Sequence, residues 1–266
     1  MNTVKTVDLY GRDMGGKGRA PLIVLHGLLG SVRNWQMAGP DLAHAGVAHV
    51  IALDLRNHGK SPHTDTMSYD EMAADVIAWL DTRKVMRVQL MGHSMGGKVA
   101  MAVACRHPHR IARLVVLDIA PREYDEAPAL REEFAAMNEL NVGALHRREE
   151  AETFFATRIS DPAMRRFMAT NLERDDGGIW QWRLNLPGIT AALPGLAKNP
   201  LRGGEMFEGD TLFISCGKSD RVREEDRGAI LRHFPNARIE TLVDSGHNPH
   251  VDAREDLVEA VKRFLR

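Results

Sequence analysis

The 266-residue chain is predicted to be an α/β protein, a mostly parallel sheet flanked by helices, on three observations. Short continuous runs rich in Val, Ile and Leu recur at Pro21–His26, Ala48–Asp54, Val85–Met91, Ile111–Asp118, Thr211–Ser215 and Ala237–Val243, as expected of strands buried on both faces. Amphipathic helical patterns lie between most of them, a βαβ rhythm. The third observation is compositional: 44 % hydrophobic and 27 % charged residues are average for a chain that buries a sizeable core.

Each element follows from local sequence. Pro21–His26 runs into a glycine turn, His26-Gly27-Leu28-Leu29-Gly30-Ser31. Beyond Ala48–Asp54, a capping box at Ser68–Glu71 opens a helix to about Leu80, with Met72, Val76, Trp79 and Leu80 on one face. Val85–Met91 leads directly into Gly92-His93-Ser94-Met95-Gly96 and a helix reaching about His107. After Ile111–Asp118 the rhythm breaks. Residues 121–205 hold no good strand but three helical patterns: Leu130, Phe134 and Met137; Phe154, Phe155 and Ile159; Met164, Phe167 and Met168. This stretch of 85 residues carries seven of the fifteen aromatic residues, Trp180 and Trp182 among them, and is expected to form a helical lid over an apolar pocket. Residues 1–120 and 206–266 then make the core of sheet and helices.

Charge and composition exclude several classes. With 35 basic and 36 acidic residues the net charge is −1, which leaves no overall field to attract nucleic acid or an anionic bilayer. The apolar runs Leu22–Leu25 and Leu114–Leu117 fall far short of the roughly 18 residues of a membrane span. Met1–Gly11 has no apolar core of a secretory signal. Cys105 and Cys216 lie far apart in no metal-like spacing and read as small buried residues in a reducing cytoplasm. A cytoplasmic monomer or homodimer acting on a small molecule is expected.

Gly92–Gly96 is G-x-S-x-G between a strand and a helix, where a sharp turn projects the serine oxygen above the sheet edge. The helix N-terminus aims free N–H groups at the same spot and favours developing negative charge. Gly92–Lys98 also spells G-x-x-x-x-G-K, but a phosphate-binding loop needs Ser or Thr next to ligate magnesium, and Val99 cannot. A serine hydroxyl is a poor nucleophile until a base takes its proton. His247, in Ser245-Gly246-His247-Asn248-Pro249-His250 after the last strand, falls at the same sheet edge. His247-x-x-His250 also has the spacing of a metal pair, with no third ligand evident.

Two acids compete to orient the histidine: Asp118, 24 residues after Ser94, and Asp220, 27 residues before His247. Both follow strands, and order and spacing do not separate them. An acyl oxyanion needs preorganised backbone donors. The N–H of Met95, directly after the serine, is one candidate, and the N–H of Leu28 in the first glycine turn is the other.

With these residues in view, the chain resembles the serine hydrolases of the α/β-hydrolase fold over nearly its full length. The resemblance rests on His26-Gly27, D-x-R-x-x-G-x-S at Asp54–Ser61, the turn Gly92–Gly96, G-x-x-D at Gly217–Asp220 and Gly246-His247. Arg56-Asn57-His58-Gly59, Met91–Lys98, Asp118-Ile119-Ala120-Pro121 and Trp182-Arg183-Leu184-Asn185-Leu186 are similar to a branch of small bacterial esterases with acyl-ester and acyl-thioester substrates. In that branch the strand-end aspartate is the triad acid, which favours Asp118 over Asp220. The resemblance implies a helical cap between the sixth and seventh core strands and ester hydrolysis through an acyl-enzyme, without metal or organic cofactor. Trp180 and Trp182 are expected as apolar walls of the pocket. Ser94 argues against epoxide hydrolases and haloalkane dehalogenases, which carry Asp there. C–C hydrolases, cofactor-free lyases and slow-turnover receptors of the fold stay open as alternatives.

Overall fold

The computed structural model describes residues 4–125 and 128–266. A seven-stranded sheet runs β1 (Gly11–Gly15), β2 (Pro21–Leu25), β3 (His49–Leu53), β4 (Val88–His93), β5 (Ile111–Leu117), β8 (Thr211–Cys216) and β9 (Ala237–Leu242) along the chain. Two further strands, β6 (Leu172–Arg174) and β7 (Trp180–Trp182), pair antiparallel outside it. The spatial order in the sheet is β1-β3-β2-β4-β5-β8-β9, and every pairing but β1 with β3 is parallel.

All six apolar runs are strands. Alternation explains why they read as continuous: Leu22 and Val24 enter the apolar layer with α1 (Ala38–His44) and α10 (Arg254–Leu265), while Ile23 and Leu25 enter the layer with α2 (Tyr69–Thr82) and α3 (Met95–Arg106). The edge strand β1, Gly-Arg-Asp-Met-Gly, offers no apolar run and escapes sequence reading.

Between β5 and β8 the chain forms α4 (Pro128–Glu139), α5 (Arg148–Phe155), α6 (Pro162–Ala169), the β6–β7 hairpin and α7 (Leu186–Ala197). The first three helices match the three helical patterns. The hairpin and α7 are additions, and α7 is masked in the sequence by Pro187, Gly188, Pro194 and Gly195. This segment falls between the fifth and sixth strands of the sheet, one place earlier than the sixth and seventh strands expected. The expectation counted one more strand ahead of it. Residues 4–10 form no strand; there the Val7 N–H bonds Asp75 Oδ1 at 2.9 Å and the Tyr10 N–H bonds Ser61 Oγ at 2.8 Å. The remaining helices, α8 (Arg227–His233) and the single turn α9 (Pro249–Asp252), flank β9. No helix among the described residues is long and apolar enough to cross a membrane.

The Asp54–Ser61 motif is a structural knot beneath this sheet edge. The Arg56 guanidinium donates to Asp75 Oδ2 at 2.6 Å and Oδ1 at 2.9 Å, and to Glu71 Oε1 at 2.8 Å, while Asp54 accepts from the Val32 and Lys60 N–H groups. Arg56 and Asp75 are both buried, and without Asp75 the guanidinium keeps Glu71 as a carboxylate partner. Asp75→Ala is therefore expected to cost about 3 kcal/mol, the low end for a broken buried pair, read as a lower denaturant midpoint at unchanged slope.

Candidate active site

Strand β4 ends at His93, and Ser94 follows with φ 52° and ψ −118° before α3 begins. The flanking glycines allow this turn, because a Cβ on Gly92 would lie 2.1 Å from the Gly96 carbonyl oxygen and one on Gly96 would lie 2.5 Å from the His26 carbonyl oxygen. The Ser94 Oγ lies 3.1 Å from His247 Nε2, and His247 Nδ1 lies 2.8 Å from Asp118 Oδ2. Asp118 is 0 % exposed, and its other oxygen accepts from the Cys216 N–H at 3.1 Å. Neutral His247 therefore carries its proton on Nδ1, toward the carboxylate, and turns the unprotonated Nε2 toward the serine. Asp220, the competing acid, is 80 % exposed on its side chain and pairs with Arg223 at 3.4 Å.

Two histidines hold the loops around this relay. His93 is buried and donates from Nε2 to the His247 carbonyl at 2.7 Å; burial and the neighbouring His247 and His250 keep it well below the usual histidine range, hence neutral. His26 accepts from the Leu55 N–H at Nε2 (3.0 Å), so its proton sits on Nδ1 and bonds the Gly27 carbonyl at 2.8 Å. Burial pushes the His26 imidazole down to about 4, which keeps this pattern fixed near neutral pH. His250 packs against Trp35 and His93, with ring centroids 5.0 and 5.1 Å away. No cluster of three or more metal-ligating side chains occurs among the described residues.

The Leu28 N–H, in the turn that His26 braces, and the Met95 N–H, first of α3, have no hydrogen-bond acceptor among the described residues. Two cavities meet here and share Leu28, Ser94, Leu130 and Arg221. One runs beneath α7 past Tyr69, Ile119, Leu193 and Leu196; the other opens on the His247 side past Glu133, Met164 and Phe167. Trp180 and Trp182 line neither of them. Both stand on β7, where the guanidinium carbons of Arg148 and Arg174 lie 5.5 and 4.8 Å from the Trp180 ring centroid.

The segment between β5 and β8 is tied to the core at the site's rim. Asn171 donates to the Leu29 carbonyl at 3.0 Å and the Asn185 N–H to the Asn57 carbonyl at 2.9 Å. Lys98, one helical turn beyond Ser94 and 2 % exposed, donates to the carbonyls of Ala197 at 3.0 Å and Lys198 at 2.6 Å where α7 ends. Sequence reasoning weighed Lys98 only as the lysine of a phosphate-binding loop, although a lone lysine in the apolar stretch Met95–Ala104 also signals a buried tie. Glu133 and Arg221 carry no such signal, because each sits in an ordinary polar stretch.

Comparison with known proteins agrees with the fold. Residues 20–253 match the family described as alpha/beta hydrolase fold. The chain is 34 % identical to the zebrafish (Danio rerio) sn-1-specific diacylglycerol lipase ABHD11 over 271 residues, covering 100 % of this chain and 85 % of the relative. It is 32 % identical to esterase YbfF of Escherichia coli K12, covering 92 % of this chain and 93 % of the relative. A solved marine microorganism esterase superposes with a TM-score of 0.93 at 31 % identity, over 97 % of this chain and 100 % of that one. The sheet order, the strand–serine–helix turn and these full-length similarities agree: the chain belongs to the α/β-hydrolase fold family.

Proposed function

We propose that the protein is a carboxylic-ester hydrolase for small or medium acyl substrates, with thioesters within the same chemistry. The observation that carries this reading is the relay from Ser94 Oγ through His247 to buried Asp118, at 3.1 and 2.8 Å. Relatives named esterase and lipase support it.

In this mechanism Ser94 Oγ attacks the acyl carbonyl carbon while His247 Nε2 takes its proton, and the Asp118 carboxylate supports the imidazolium that forms. The carbonyl oxygen becomes an oxyanion held by the Leu28 and Met95 N–H groups and favoured by the N-terminus of α3. The carbon–oxygen bond to the alcohol breaks, and His247 passes its proton to the departing oxygen. Water, deprotonated by His247, then attacks the Ser94 acyl ester; its collapse releases the acid and returns the proton to Ser94. Every proton moves through His247, so the cycle is complete with these residues alone. Residues 121–205 act as the cap, roofing the acyl group with Leu193 and Leu196.

The purified protein is expected to cleave p-nitrophenyl esters without added metal, with kcat/KM changing along an acetate-to-decanoate series as the α7 cavity fills. Inactivity across that series and on acyl-thioesters, with turnover of a diketone or dienoate, would instead assign carbon–carbon bond cleavage.

A further inference from the structure

The cavity on the His247 side contains two groups that the hydrolytic cycle does not use. Glu133, on α4, is 8 % exposed and lines this cavity with no hydrogen-bond or ion-pair partner among the described residues. Desolvation pushes its carboxyl up to about 7, against the pull of the Arg221 charge. Arg221 lines this cavity and the one beneath α7, between the two; its guanidinium carbon lies 5.8 Å from the centroid of the Tyr124 ring, on the α7 side, and the guanidinium forms no ion pair among the described residues. Glu133 and Arg221 thus line one cavity without closing on each other.

Which part of the substrate meets them follows from the proton path. Under the ester-hydrolase reading, on which this inference rests, His247 Nε2 delivers a proton to the departing oxygen, so the alcohol portion lies on the His247 side. The acyl portion then takes the cavity beneath α7, whose walls include Ile119, Leu193 and Leu196 beside Tyr69, Tyr124 and Lys98.

Charge and hydrogen-bond roles select the kind of alcohol. An anionic alcohol portion would meet the Glu133 carboxyl wherever it is ionised, and an ammonium would meet Arg221. A zwitterion would have to leave water for surroundings that include Leu130, Met164 and Phe167. Hydroxyl groups fit both residues at lower desolvation cost and in either protonation state of Glu133, because a hydroxyl donates to its carboxylate or accepts from its protonated carboxyl, while a hydroxyl oxygen accepts from the guanidinium. We propose that Glu133 and Arg221 form a leaving-group subsite for esters of polyhydroxyl alcohols, in which hydroxyls beside the esterified one bond these two side chains.

The test compares two esters of one acid, glyceryl 1-monobutyrate and n-propyl butyrate, whose alcohols differ by two hydroxyls. The wild-type protein is expected to favour the glyceryl ester by about tenfold or more in kcat/KM, because a site built to bond hydroxyls discriminates against an analogue lacking them. Glu133→Leu is expected to bring that ratio close to one, and Arg221→Met to lower it as well. The ratio is the readout, so a general loss of activity in a variant does not imitate the effect. Should Glu133→Leu not fold, Arg221→Met at its half-buried position carries the same comparison. A wild-type ratio near or below one, or a ratio unmoved in the variants, overturns the subsite and leaves ester hydrolysis standing. Failure to hydrolyse either ester, or any p-nitrophenyl ester, overturns the ester-hydrolase reading and the subsite with it.

Discussion

Ser94→Ala is expected to lower kcat/KM on p-nitrophenyl butyrate by about 10³-fold or more, with little change in melting temperature. The two halves of this expectation have separate causes. Covalent catalysis is lost outright, because no other hydroxyl takes the place at 3.1 Å from His247 Nε2. The Leu28 and Met95 donors are untouched, so residual catalysis through oxyanion stabilisation and substrate positioning should persist. Stability should hold because Ala pays the same backbone cost as Ser at φ 52°, and the flanking glycines that make the turn possible are unchanged. Steady-state kinetics with a thermal melt checks both halves. A rate equal to that of the wild type would remove Ser94 from the chemistry.

What could be read from the sequence tracks how local each cause is. The inner strands were legible because a strand buried on both faces is apolar almost throughout, as Leu22–Leu25 is, and β9, at the sheet edge, was legible by its alternate Ala237 and Ile239 and its Leu242. The turn at Ser94 was legible because its steric demand falls on glycines two residues away. Strand β1 was not, because it lies on the sheet edge, half exposed and flanked by glycines. Trp180 and Trp182 misled for a related reason. Two aromatic residues two apart on a strand share a face, but the sequence does not say what covers it, and Trp180 is flanked by Arg148 and Arg174 of its own segment. Glu133 and Arg221 lie 88 positions apart, and only the folded chain brings them to one cavity.

The choice of acid was closed to spacing alone, since Asp118 and Asp220 both follow strands that end at the same sheet edge. Asp118→Asn is expected to lower kcat/KM by about 10⁴-fold, and Asp220→Asn to leave it within about twofold. At position 118 the carboxylate accepts twice, from His247 Nδ1 and from the Cys216 N–H. An asparagine has one acceptor oxygen for these two donors. If that oxygen keeps the Cys216 N–H, its amide NH₂ faces His247 Nδ1, and the ring must present a lone pair there and carry its proton on Nε2. That tautomer points N–H at Ser94 Oγ and cannot accept the serine proton, which is the origin of the large effect. Asp220 has no such leverage, because its side chain is 80 % exposed and among the described residues holds only the Arg223 guanidinium, 3.4 Å away. Its removal deletes a solvated surface pair of small worth. The two variants, compared on one ester at one pH, separate the alternatives cleanly, and a larger loss at Asp220 would transfer the acid's role to the loop after β8.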